Sequence, residues 1–179
     1  MAAGGAREPV GHRGSAVQIA VVGASEPEAD LVPLAEEVGR RLAEAGAILV
    51  CGGLGGVMEA ACRGAQAAGG LTVGLLPGVD PEAGNRFVEL ALPTGLGDGR
   101  DALVARAGEA VIAVGGAYGT LGEVAIALKA GTPVVGLETW EIARRGLETD
   151  PIERAGSAAE AVERALEHAR VARTRRARR

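Results

Sequence analysis

Residues 110–123 read Ala-Val-Ile-Ala-Val-Gly-Gly-Ala-Tyr-Gly-Thr-Leu-Gly-Glu. The apolar run Ala110 to Val114 has the length and composition of a buried strand. It passes straight into Gly115-Gly116 and then Gly119-Thr120, after which an apolar helical stretch begins. Glycine lets a backbone take positive φ and lie close to a bound group. A helix start presents unpaired N–H groups and the positive end of its dipole to an anion. A strand, a glycine turn and a helix start in this order form an anion cradle. Thr120 is placed to cap an N–H or to bond a phosphate oxygen. Glu123 falls in the first turn of a helix over 119–130, where the dipole favours a carboxylate. The same residues would also serve a plain strand-to-helix turn; the fixed register of Gly115, Gly116, Gly119, Thr120 and Glu123 favours binding.

Working outward, the same alternation recurs. Val17 to Val22 reads as a strand ending at Gly23. Leu31, Leu34, Val38 and Leu42 mark one face of a helix that tolerates Pro33 in its first turn and stops at Gly46. Ile48 to Val50 is a strand, 57–67 an alanine-rich helix, and 71–75 a strand. A fourth strand is expected over 87–92, a helix over 101–107, and a sixth strand over 133–137. Ser157-Ala-Ala-Glu160 matches a capping box ahead of a helix with Ala158, Val162, Ala165, Leu166 and Ala169 on one face. Residues 140–156 carry no clear pattern. Strands without polar alternation, separated by helices, predict an α/β chain: a Rossmann-like, doubly wound, mainly parallel sheet with helices on both faces. Ligands in such folds sit beyond the carboxyl ends of the strands.

Other segments converge on that edge. Gly52, Gly53, Gly55 and Gly56 follow the second strand and open a helix, a second candidate cradle that implies a ligand of some length. Tight helix–sheet packing is the competing explanation for them. Gly23-Ala24-Ser25 follows the first strand, and Gly23 and Ser25 are weaker candidates. Arg100 precedes the helix leading into the fifth strand, where a guanidinium would bind phosphate bidentately or pair with Asp98 or Asp101. No GxGxxG or GxxxxGK[ST] pattern occurs, so the usual dinucleotide and P-loop sites are excluded. Lys129, the only lysine, lies late on its helix, away from the ligand end, which disfavours a Schiff-base enzyme. His12 and His168 lie near the two ends, and no metal site is expected.

The chain has 179 residues, 47% of them hydrophobic but only 2% aromatic, so its core must be built from Ala, Val and Leu. We expect a leader at 1–14, one ligand-binding domain over 15–169, and a basic tail at 170–179. That tail holds Arg170, Arg173, Arg175, Arg176, Arg178 and Arg179, so the net charge of −4 conceals a more acidic body. An acidic body argues against nucleic-acid binding except through the tail. Cys51 and Cys62 make no CxxC pair, and no apolar run approaches membrane-spanning length, so a reduced cytoplasmic protein without membrane contact is expected.

Gly-Arg-Asp at 99–101, the segment 115–123, and Gly55-Gly56-Val57-Met58-Glu59-Ala60-Ala61 together resemble the Lonely-guy superfamily. That group includes cytokinin-activating phosphoribohydrolases and molybdenum cofactor carrier proteins, and the resemblance covers roughly 16–137. It implies that Arg100 and Glu123 match the hydrolases' arginine and motif glutamate, the candidate catalytic pair. Gly116, Gly119 and Thr120 match the phosphate-cradling positions of PGGxGTxxE. Gly115 replaces the motif proline, Ala117 its second glycine, and Asp101 the lysine of the upstream Arg-Lys pair. These departures look more like the carrier branch. The resemblance therefore implies a carrier that requires no cofactor for chemistry but binds molybdenum cofactor, another pterin or a nucleotide. The alternative it leaves open is a nucleoside 5′-monophosphate phosphoribohydrolase that releases base and ribose 5-phosphate. It also implies a homodimer or homotetramer.

Overall fold

The structure is a computed structural model and describes residues 16–177; the expected leader at 1–14 and the last two tail residues lie outside them. Seven strands form one sheet: β1 (Gln18–Gly23), β2 (Ile48–Cys51), β3 (Thr72–Leu76), β4 (Leu90–Pro93), β5 (Ala110–Val114), β6 (Val134–Leu137) and β7 (Glu153–Arg154). Their order is β4-β3-β2-β1-β5-β6-β7, and every pairing is parallel. Five α-helices join them: α1 (Leu31–Glu44), α2 (Val57–Ala67), α3 (Asp101–Ala107), α4 (Tyr118–Ala130) and α5 (Ala158–Ala177). The chain winds outward from β1 to β4, returns through α3 to β5 beside β1, and winds outward again. The crevice between β1 and β5 is therefore the topological switch point, where open α/β sheets bind ligands.

Strand alternation explains the two cores. Ile19, Val21, Ile112 and Val114 point to the face covered by α1, α2 and α5. Ala20, Val22, Val111 and Ala113 point to the face covered by α3 and α4. Both faces are buried, so the strands need no polar alternation. Small residues let the helices pack closely: a Cβ on Gly39 would strike the Ala61 carbonyl, and one on Gly64 the Glu36 carbonyl.

Four expectations are adjusted. The fourth strand starts at Leu90 rather than 87, because the buried Thr72 hydroxyl donates to Phe87 O and accepts from Glu89 N–H, replacing ladder bonds there. The patternless segment 140–156 ends in β7, two residues paired with Val135 and Gly136. The Glu160 carboxylate accepts from Gly156 N–H while Ser157 Oγ accepts from Glu160 N–H, so the capping box closes one residue early. The final helix continues past 169 into the basic segment. Arg173 holds it there through paired 2.6 Å bonds to the Glu109 carboxylate and a 2.9 Å bond to Ala16 O. Among the described residues no helix is long and apolar enough to cross a membrane.

Candidate functional site

The glycine turn and the start of α4 lie at the switch point. Gly115 (φ 55°) and Gly116 (φ 128°) both occupy the positive-φ region that Cβ-bearing residues avoid. Their turn sets Ala117 as the extended cap of α4, with no capping side chain and no acidic residue in the first turn. The first N–H groups of a 13-residue helix are thus left for another acceptor. They face a cleft of about 490 Å³ lined by Gly23, Ser25, Arg100, Gly119, Thr120 and Glu123. Asp101, Met58 and Glu26 also line it.

Glu123 is a correction to the sequence reading. Because α4 begins at Tyr118, Glu123 sits in the second turn and not the first. It is buried, with only 7% of its surface exposed, and faces Arg100 rather than solvent. Burial, and secondarily the neighbouring Asp101 carboxyl, push its pKa up to about 8 against the opposing pull of Arg100. Burial therefore favours the neutral, proton-bearing form of Glu123 near pH 7. Burial likewise raises Asp101 above the usual aspartate range, again opposed by Arg100.

Arg100 is 8% exposed. Its Nη1 lies 3.2 Å from Asp101 Oδ1 and 3.9 Å from Glu123 Oε1. Among the described residues its buried Nε–H has no acceptor. Native structures rarely leave such a group unpaired, since an orphaned buried donor costs about 1–3 kcal/mol. The ion pair with Asp101 that position allowed is present, but Arg100 is buried rather than at the surface.

The second glycine run supports the cleft from behind. Gly52 packs directly beneath the guanidinium: a Cβ there would stand 2.7 Å from Arg100 Cζ. Gly56 lies against the Ala24 and Ser25 carbonyls, and Gly53 against Leu76. None of Gly52, Gly53, Gly55 and Gly56 lines the cleft; Met58 represents that segment in its wall. Gly115 and Gly116 line an adjoining cavity of about 340 Å³, rimmed by Glu26, Glu28, Asp30 and Glu138. Ala24, Glu26 and Ala117 line both spaces. Sequence reasoning missed Glu26, which no motif marks, and gave Met58 no role although it lies within the quoted stretch 55–61. Lys129 lies in the last turn of α4, opposite the cleft. His168 bonds Glu153. Cys51 and Cys62 are both buried behind the site, their sulfurs 3.5 Å apart, with Gly53 N–H donating to Cys51 Sγ. Among the described residues no cluster of His, Cys, Asp or Glu suits a metal ion.

Known proteins share this fold. The chain is 32% identical to the molybdenum cofactor binding protein of the phototrophic bacterium Rippkaea orientalis, with a TM-score of 0.79 over 86% of this chain and 97% of that one. It is 36% identical to the Moco carrier protein of Chlamydomonas reinhardtii, with a TM-score of 0.76 over 86% and 98%. An uncharacterized protein of Archaeoglobus fulgidus is 43% identical over 122 residues, 68% of this chain and 80% of the relative. The model of the SLOG cluster4 family matches residues 16–169, and the chain belongs to that family.

Proposed function

We propose that this member of the SLOG cluster4 family holds a phosphorylated small molecule in the cleft at the start of α4, as a carrier and without reacting it. The ligand class is a pterin of the molybdenum-cofactor type or a nucleotide. The observation that carries this reading is the buried Arg100 with its unsatisfied Nε–H, set beside an uncapped helix start. The helix N–H groups, the Thr120 hydroxyl and Arg100 supply donors to phosphate oxygens. A protonated Glu123 adds a donor where an ionised one would repel the anion. The likeness to proteins named as molybdenum cofactor carriers supports a pterin as cargo. The protein works in the cytoplasm as a homodimer or homotetramer.

The phosphoribohydrolase alternative draws on one observation: Arg100 and Glu123 stand 3.9 Å apart in the same cleft. Burial pushes the Glu123 carboxyl up to about 8, and a carboxyl raised in this way can donate a proton to a leaving base as well as a hydrogen bond to an anion. Its chemistry as found is proton donation or hydrogen bonding, which suits holding an anion.

Retention of a fluorescent pterin phosphomonoester through gel filtration tests the carrier reading. Wild-type protein retains it. Arg100→Ala weakens binding by about 10–100-fold, the usual worth of a charged hydrogen-bonding partner. Equal retention by both proteins would contradict the assignment of Arg100.

A further inference from the structure

The chain contains one Tyr, one Trp and one Phe, and the fold brings two of these three rings together beside the start of α4. Tyr118 is the first residue of α4, between Ala117 and Gly119, which both line the cleft. It is 82% exposed. Trp140 arrives from the segment after β6, and its ring centroid is 5.7 Å from that of Tyr118, at an interplanar angle of 34°.

The Trp140 ring is held in place. Trp140 Nε1–H donates to Ala117 O at 3.2 Å. The Thr139 hydroxyl donates to Gly115 O. From the far side, Arg154 donates to Thr139 O at 3.0 Å and Trp140 O at 2.6 Å, and pairs with Asp150. Two side chains thus tie the aromatic segment to the carbonyls of the glycine turn, whose Gly115 N–H donates to Leu137 O. Ala117, which accepts the indole N–H, also lines the cleft and the 340 Å³ cavity beside it, so the indole is anchored to a residue of the site.

We propose that Tyr118 and Trp140 form a stacking face for the planar heterocycle of the ligand whose phosphate occupies the α4 start. This rests on the phosphate-cradle reading above and adds how the rest of the ligand is selected. Aromatic faces stack on any flat nitrogen heterocycle, so the platform chooses planar ligands over bare sugar phosphates. Tyr118 has little else to do: it is the most exposed ring in the chain and sits one residue from the N–H groups that meet the phosphate.

The test compares AMP and a pterin phosphomonoester with ribose 5-phosphate, which keeps the anion but lacks the ring. Calorimetric affinities are measured for wild type, Tyr118→Ala and Tyr118→Phe. Trp140 is the sole tryptophan, so intrinsic fluorescence reports on that ring alone. The expected results are a roughly tenfold loss of affinity for the ring-bearing ligands in Tyr118→Ala and recovery in Tyr118→Phe. Ribose 5-phosphate affinity stays unchanged in both, and Trp140 emission responds to the ring-bearing ligands only. Ribose 5-phosphate binding as tightly as the ring-bearing ligands, or Tyr118→Ala leaving all affinities unaltered, overturns the platform while sparing the cradle. A change of oligomer size in Tyr118→Ala, seen by light scattering with affinities intact, reassigns the rings to a contact between copies and overturns it too. Failure of all three compounds to bind wild type removes the cradle and the platform together.

Discussion

Glu123→Gln is expected to stabilise the protein, by an amount that depends on pH. In the folded chain the Glu123 carboxyl titrates at about 8, against 4.5 as the unperturbed value. Between those values the folded state binds a proton that the unfolded chain has released. Stability from this group is therefore full below pH 4.5, declines as pH rises, and is lost above about 8. Each pH unit is worth about 1.4 kcal/mol, so the burden at pH 7 is about 3 kcal/mol and at pH 9 about 5 kcal/mol. Glutamine keeps the size and a donor but carries no titratable proton. The variant should exceed wild type by up to those amounts, or about 6–12 °C in Tm at pH 7 for a chain of this size. The gap should be under about 1 kcal/mol at pH 5. Urea denaturation at pH 5, 7 and 9 measures it. A gap independent of pH, or a less stable variant at pH 9, would refute the buried neutral carboxyl. Ligand affinity follows the same titration: wild-type binding should weaken as pH rises through about 8, while Glu123→Gln binds without that loss.

Two further outcomes follow from packing. Gly52→Ala places a methyl group where the Arg100 guanidinium lies, and that side chain is free to swing aside. Anion affinity should fall about 10–100-fold with a stability change near 1 kcal/mol or less, measured by calorimetry and urea melts. Unchanged affinity would show that Arg100 does not set the site. Leu103 on α3 is 42% exposed, and beside it α4 carries Leu121, Ile126 and Leu128 only half-buried. If this face joins two copies, Leu103→Glu should yield a monomer by light scattering, with fold intact by circular dichroism.

The parts of this structure that rest on local patterns were readable in the sequence. The helices over 57–67 and 101–107 and the strand over 110–114 occupy the residues their apolar spacing and glycine boundaries predict. The α/β architecture and the parallel sheet followed from strands lacking polar alternation. What depended on partners distant in the chain was not readable. Thr72 displaces the start of β4 by pairing with residues 15 and 17 positions away. Arg173 anchors the last helix to Glu109, 64 residues back. Gly52 looked like a phosphate cradle and is instead the floor under Arg100, a contact between segments almost fifty residues apart. The helix starts at Tyr118, one residue before Gly119, which leaves Glu123 clear of the first turn. Tyr118 and Trp140 carry no motif, and only the segment after β6 brings them together. Asp101, visible in the sequence as a departure from the hydrolase signature, proved to be the partner that holds Arg100 at 3.2 Å.

The central claim is that the cleft holds a phosphorylated ligand and releases it unchanged. Its most direct measurement is equilibrium dialysis of the purified protein against a pterin phosphomonoester and a panel of nucleoside 5′-monophosphates, with chromatographic analysis of every bound ligand recovered. The account predicts saturable binding of at least one of them, loss of that binding in Arg100→Ala, and recovery of the ligand intact. Free base and ribose 5-phosphate appearing with wild type and not with Glu123→Ala would contradict it.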